Sequence, residues 1–302
     1  MTEATKGHLA MLVFSALVAG SFSLGVMAAN DIAPAALQFA RFALAAVVTG
    51  AMAAATGQFR RSHVTAPWRY FLLAGFFGTY FILMFHGLKT ATPVSAAAVF
   101  TLTPVMAAGF GYLLLRQILT GPIALGLGIG AMGALWVIFQ GDIATLLRFE
   151  IGEGEAIYFL GCLCHAVYIP LLARLNRGEP PLVFTTGILI AGAIMIGIYG
   201  WSDVRATRWG ELPGLVWLTL GYLVVFSTAF SFMLLQVASL RLPASKVMAY
   251  TYLTPSWVLL WEAALGHGTP PPLILGGVGL TIAALLVLLR RENGRDGRRT
   301  PI

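Results

Sequence analysis

Charge is scarce in this sequence. Charged residues are 10% of 302, hydrophobic residues are 58%, and the mean hydropathy is +0.84. A water-facing domain of this size needs far more charged surface. The shortage excludes a soluble globule and makes lipid the solvent over most of the molecule. Cysteine is almost missing too. Cys162 and Cys164 are one residue apart, too close for a structural bridge, and read as small packing residues. There is no GxxxxGK[ST] loop, which excludes an ATP-hydrolysing P-loop. There is no GxSxG elbow and no metal-spaced His/Cys/Asp cluster. No enzyme activity, cofactor or metal is therefore expected. The net charge of +7 is dispersed among short loops, so it does not make a nucleic-acid surface.

What fills the chain instead is ten apolar runs, at 8–29, 33–56, 68–88, 92–115, 121–141, 153–175, 180–201, 211–238, 244–265 and 270–290. Most reach the roughly 20 residues that a helix needs to cross a ~30 Å hydrocarbon core. None shows the alternating pattern of a spanning strand. The first run is too long for a signal peptide, and nine more follow it. The expectation is an all-α membrane protein of ten transmembrane helices.

Lys and Arg set the orientation. With a cytoplasmic N-terminus, the inside segments hold fourteen of them: Lys6, Arg60, Arg61, Arg69, Arg116, Arg174, Arg177, Arg241, Lys246, Arg290, Arg291, Arg295, Arg298 and Arg299. The outside segments hold four, Lys89, Arg148, Arg205 and Arg208, and Arg41 lies within a span. Both termini are thus expected on the cytoplasmic side.

The chain also repeats itself. At an offset of 151, Leu102-Thr103-Pro104 falls on Leu253-Thr254-Pro255, Ser95 on Lys246, Gly126 on Gly277 and Gly128 on Gly279. Ten spans divide into five plus five, 1–147 and 148–302. Five is odd, so the second half enters from the opposite side, and the halves are inverted copies with a substrate site expected between them near the midplane. Pro104 and Pro255 sit inside apolar runs, where a proline removes a backbone hydrogen bond. The expectation is a matched pair of hinges, with the preceding threonine hydroxyl bonding a freed carbonyl.

Ten spans in two halves, each with Thr-Pro in its fourth span, resemble the drug/metabolite transporter superfamily in its EamA-type branch, over nearly the whole chain. The family often has Gly-Glu after the fourth span of each half; Arg116-Gln117 and Gly266-His267 stand there instead, so no role of that glutamate carries over. The overall likeness is to bacterial inner-membrane amino-acid exporters. It implies secondary transport or facilitation of amino acids, aromatic and other neutral ones, out of the cytoplasm. The alternative is broad efflux of drugs or metabolites. The implied partners are the lipid bilayer and a small-molecule substrate, and the oligomeric state stays open.

Polar and aromatic residues inside spans mark the candidate site. The ninth span carries Lys246, Tyr250, Thr254, Trp257 and Trp261 along one stripe. The sixth carries Tyr158, Cys162, His165 and Tyr168; the third carries Tyr80, Met84 and, near its outer end, His86; the eighth carries Ser227, Thr228 and Ser231. Tyr80, His86, His165, Tyr168, Ser231, Tyr250, Thr254 and Trp257 are the candidate substrate contacts. Arg41, one turn after Gln38, and Glu262 are possible charge contacts, able to meet a zwitterion, to pair with each other or to touch headgroups. Glu262, His86 and His165 are the few candidates for proton coupling. Gly126, Gly130 and Gly133 in the fifth span, and Gly276, Gly277 and Gly279 in the tenth, read as close helix packing.

Overall fold

A computed structural model describes residues 2–116, 121–148, 151–239, 241–242, 247, 249–268 and 271–290. Every regular element among them is helical. In chain order these are α1 (Glu3–Ala28), α2 (Pro34–Ala55), α3 (Trp68–Gly87), α4 (Pro93–Phe100), α5 (Thr103–Leu115), α6 (Gly121–Ile138), α7 (Ile143–Arg148), α8 (Glu153–Leu175), α9 (Pro181–Tyr199), α10 (Trp201–Ala206), α11 (Gly214–Val224), α12 (Ser231–Ser239), α13 (Thr254–Ala264) and α14 (Pro272–Arg290). Short 3-10 turns at Arg61–Val64, Trp209–Glu211 and Tyr250–Leu253, and a π-helical stretch at Val225–Phe230, lie between them.

Helix starts follow from local chemistry. The Thr2 hydroxyl accepts from the Thr5 amide at 3.1 Å ahead of α1, and the Thr92 hydroxyl accepts from the Ser95 amide at 3.2 Å ahead of α4. Pro34, Pro93 and Pro181 open their helices, where a missing N–H costs nothing. Eight segments are long and apolar enough to cross a bilayer, with Pro93–Leu115 and Gly214–Leu235 each counted as one; Ile123–Ile138 is a shorter apolar helix. The ninth run is described as the turn at Tyr250–Leu253 followed by α13, 11 residues long, so ten full crossings are not counted among the described residues.

The packing is two-fold. Taking α4 and α5 as one span, and α11 with α12 as another, α2 packs on α9 and α6 on α14, so the second and fifth spans meet the seventh and tenth. Exchanging each span for the one five places away turns α3·α8 into α1·α12. It likewise turns α5·α8 into α1·α13, and α3·α9 into α2·α11. All of these contacts are present.

Two of them depend on glycine. A Cβ on Gly133 of α6 would lie 2.7 Å from the Gly277 carbonyl oxygen of α14, and one on Gly277 would lie 2.7 Å from the Gly133 carbonyl. Gly87 and Gly154 bring α3 and α8 together in the same reciprocal way. Gly126 makes room for Leu288 and Gly130 for the Tyr252 ring, whereas a Cβ on Gly279 would meet no described residue within 4 Å.

The Thr-Pro pairs do not kink continuous helices. The backbone leaves the helix at Thr101-Leu102, and α5 starts afresh at Thr103 with Pro104 in its first turn. Likewise α13 starts at Thr254 with Pro255 in its first turn. Each proline therefore falls where its absent N–H would have had no partner. The expected threonine back-bond is present for Thr254, whose hydroxyl donates to the Thr251 carbonyl at 2.7 Å. In the first half it is Thr101, two residues before Thr103, that donates to the Ala98 carbonyl at 2.6 Å.

Candidate functional site

A cavity of about 240 Å³ lies between the halves. It is walled by α1, α2, α3, the α4–α5 break, α8, α9, the stretch from Ser227 to Leu235, and Val247 and Thr251. Helical spacing aims the walls. On α3, Phe77, Tyr80, Phe81 and Met84 follow steps of three, one and three; on α8, His165, Tyr168, Ile169 and Leu172 follow the same steps. Each set is one helix face.

Four of these rings lie nearly parallel. Tyr80 and His165 are 4.5 Å apart between centroids with an interplanar angle of 21°; Phe77 and Tyr168 are 4.7 Å apart at 16°. His165 and Tyr168 complete the set at 5.9 Å and 16°. Behind them the hydroxyls of Tyr80 and Tyr158 hydrogen-bond at 3.0 Å, which fixes the Tyr80 ring against α8.

The opposite wall is hydroxyl-rich because the helix widens. Through Val225–Phe230 the backbone makes π-type turns, and the Thr228 hydroxyl donates five residues back to the Leu223 carbonyl at 2.7 Å. This places Ser227, Thr228, Ser231 and Phe232 on the cavity together. The hydroxyls of Ser21 and Ser227 bond at 2.6 Å, tying α1 to the π segment.

Arg41 enters this wall from α2. It is 2% exposed. Its Nε and Nη2 donate to the Thr228 hydroxyl at 3.2 and 3.1 Å, and its guanidinium carbon sits 3.9 Å above the Phe81 ring centre. Nη1 is buried without a hydrogen-bond partner among the described residues. Arg41 is the one permanent charge, and no residue is acidic, among the described residues that line the cavity.

Of the residues singled out from sequence, Tyr80, Met84, His165, Tyr168, Ser227, Thr228, Ser231, Arg41, Thr103 and Pro104 stand on the cavity wall. The others are elsewhere. His86 is exposed at the end of α3. Tyr250 is not on the wall: its hydroxyl meets His8 Nδ1 at 2.9 Å, in an apolar cluster with Tyr252 that adjoins the cavity through Met11. Thr254 is buried one turn beyond Thr251, which does reach the cavity. Trp257 Nε1 donates to the Ser15 hydroxyl at 2.9 Å and Trp261 Nε1 to the Ala16 carbonyl at 3.1 Å, so both tie α13 to α1. Pro255 is buried off the wall. Glu262 pairs with His267 at 2.9 Å and not with Arg41. Tyr158 is fully buried behind Tyr80 and is not on the wall. Lys246 lies outside the described residues, as does Gln117. Phe77 and Phe81 also line the cavity, and their helical spacing with Tyr80 marks them in the sequence; Phe100 and Ser21 line it too, and no pattern marks their places.

Two stretches of the chain, residues 5–139 and 153–290, each match the EamA-like transporter family. The chain is 25% identical over 295 residues to the uncharacterized transporter YyaM of Bacillus subtilis (strain 168), covering 96% of this chain and 97% of that one. It is 26% identical over 171 residues to an uncharacterized transporter of Methanothermobacter thermautotrophicus (strain Delta H), covering 56% of this chain and 48% of the relative. A crystal structure of a protein 19% identical superimposes with a TM-score of 0.70 over 98% of this chain and 99% of its own, which shows the fold.

Proposed function

The chain belongs to the EamA-like transporter family, and from that premise we infer that it is a secondary carrier or facilitator that exports amino acids, aromatic and other neutral ones, across a bacterial inner membrane with both termini in the cytoplasm. The cavity carries this reading. Stacked rings offer apolar faces to a bulky side chain, hydroxyls serve its polar end, and one guanidinium meets its carboxylate. None of these contacts is specific to one side chain, so a broad range follows. The volume of about 240 Å³ falls just below the range of about 300–1,000 Å³ usual for drug-sized ligands. Efflux of cationic drugs is the poorer fit, because no described residue on the wall offers a carboxylate to a cation.

The halves alternate the cavity between the two faces by rocking about each other. The helix breaks at Thr101-Leu102 and at Tyr250–Leu253 are the matched places for that movement. The test is counterflow in proteoliposomes with a panel of labelled amino acids. Saturable exchange of phenylalanine, tryptophan and leucine is expected, with no need for ATP. Absence of exchange for the whole panel, by protein that is folded and reconstituted, would overturn the assignment.

A further inference from the structure

The cavity wall is electrostatically one-sided. Arg41 is buried at 2% exposure with two nitrogens held by a neutral hydroxyl, a neutral ring beneath it, and Nη1 unpartnered among the described residues. No carboxylate forms an ion pair with it among the described residues. Thr228 and Phe81 orient the guanidinium but do not neutralise it. A buried cation without a counter-charge is disfavoured inside a membrane protein, and ionisable residues within spans face an interior cavity and mark substrate or ion pathways. One turn earlier on α2, the Gln38 amide is also fully buried, with neither end hydrogen-bonded among the described residues.

The geometry adds a second half to the site. From Arg41 the contacts run to Phe81 at 3.9 Å, from Phe81 to Tyr80 at 4.6 Å, and from Tyr80 to His165 at 4.5 Å. A charged anchor thus lies beside a stack of flat rings. An ammonium finds no anionic partner on the described wall. We propose that Arg41 is the carboxylate-binding residue of this cavity, and that the carrier selects an aromatic or bulky carboxylic acid by its carboxylate and ring, with no requirement for an amino group.

The inference rests on the transport reading for its setting, but it is tested by binding. Three ligands share one phenyl side chain: 3-phenylpropionate, phenylalanine and 2-phenylethylamine. Each is titrated into the purified full chain in detergent by calorimetry. The acid and the amino acid are expected to bind with similar affinity. The amine is expected to bind weaker by on the order of tenfold or more, the scale of one hydrogen bond to a charged group. R41Q should cost the acid and the amino acid a similar factor, T228V less, since it only frees the guanidinium to roll.

Amine bound as tightly as acid, no binding of the acid, or unchanged acid affinity in folded R41Q would each overturn the proposal. If R41Q does not fold, the wild-type ligand series decides alone. Counterflow on the same preparation separates the two readings. Acid-selective binding with no exchange of any labelled solute sinks transport and leaves the anion site. Exchange that does not tell acid from amine sinks the anion site and leaves transport.

Discussion

Two arginines show how the same residue type takes different work from its neighbours. Arg69, at the start of α3, is 1% exposed and ion-paired at 2.6 Å with Glu179, in the loop between α8 and α9. It also donates from Nη1 to the Leu175 carbonyl at 2.5 Å, and the Arg177 amide donates to Glu179 at 2.6 Å. Arg69 is thus spent on structure. E179Q leaves its charge buried and unpaired, and should cost about 3–5 kcal/mol, read as a fall in the melting temperature in detergent. Burial alone would raise the Glu179 carboxyl, but the bond from Arg69 and the amide donors hold it below its ordinary 4.5. The stabilisation is therefore complete above about pH 4.5 and is lost as the pH falls through the lowered value. E179Q should lack that acid-side loss.

The pocket makes a second prediction at this scale. Tyr80→Ala removes a ring from the cavity stack, and should slow exchange of tryptophan more than that of alanine. Tyr250→Ala removes a bond to His8 in a different cluster, and should lower stability without changing the ratio between the two substrates. Counterflow of both labelled substrates at equal protein is the measurement. From sequence these tyrosines looked alike, because each sat on a helical stripe of polar and aromatic residues. What separated them was which neighbour each stripe faces, and that is decided by contacts between distant spans.

At the scale of elements, composition placed the helices well, since lipid demands long apolar runs and internal hydrogen bonding. It did not locate the breaks. Thr-Pro at 103–104 and 254–255 reads as a kink, yet the helix stops before each pair and restarts on it. The π turns at Val225–Phe230 had no sequence mark at all, because their extra residue is stabilised by Thr228 reaching back five positions. Replacing Pro104 or Pro255 by Ala restores an N–H and lets the helix run on. Slower exchange is expected with little change in melting temperature, measured by counterflow and thermal denaturation together. Gly133 was legible as a packing glycine, but not its partner. Gly133→Ala presses a methyl against the Gly277 carbonyl, and should cost about 1–3 kcal/mol, seen as a lower melting temperature in detergent.

At the scale of the whole molecule, the offset of 151 residues and the two family matches at 5–139 and 153–290 describe one duplication. Reporter fusions test its topology: both termini and the 57–67 loop are expected in the cytoplasm, and 142–152 outside. Termini on opposite faces would contradict the inverted arrangement.

The exchange of partners between the halves governs how the protein is made. α2 packs on α9, α3 on α8 and α6 on α14, so the main neighbour of each of these helices is synthesised only after at least 65 further residues, residues 88–152 in the case of α3 and α8. The first five spans leave the ribosome with their small-residue faces, Gly87 and Gly133 among them, still without mates. They must wait in the bilayer, each stable as a helix but unassembled, until the second set is inserted. A ribosome halted after the first half would therefore leave a set of loose helices and no half-sized carrier. A polypeptide of half this length could reach the same architecture only by meeting a second copy of itself.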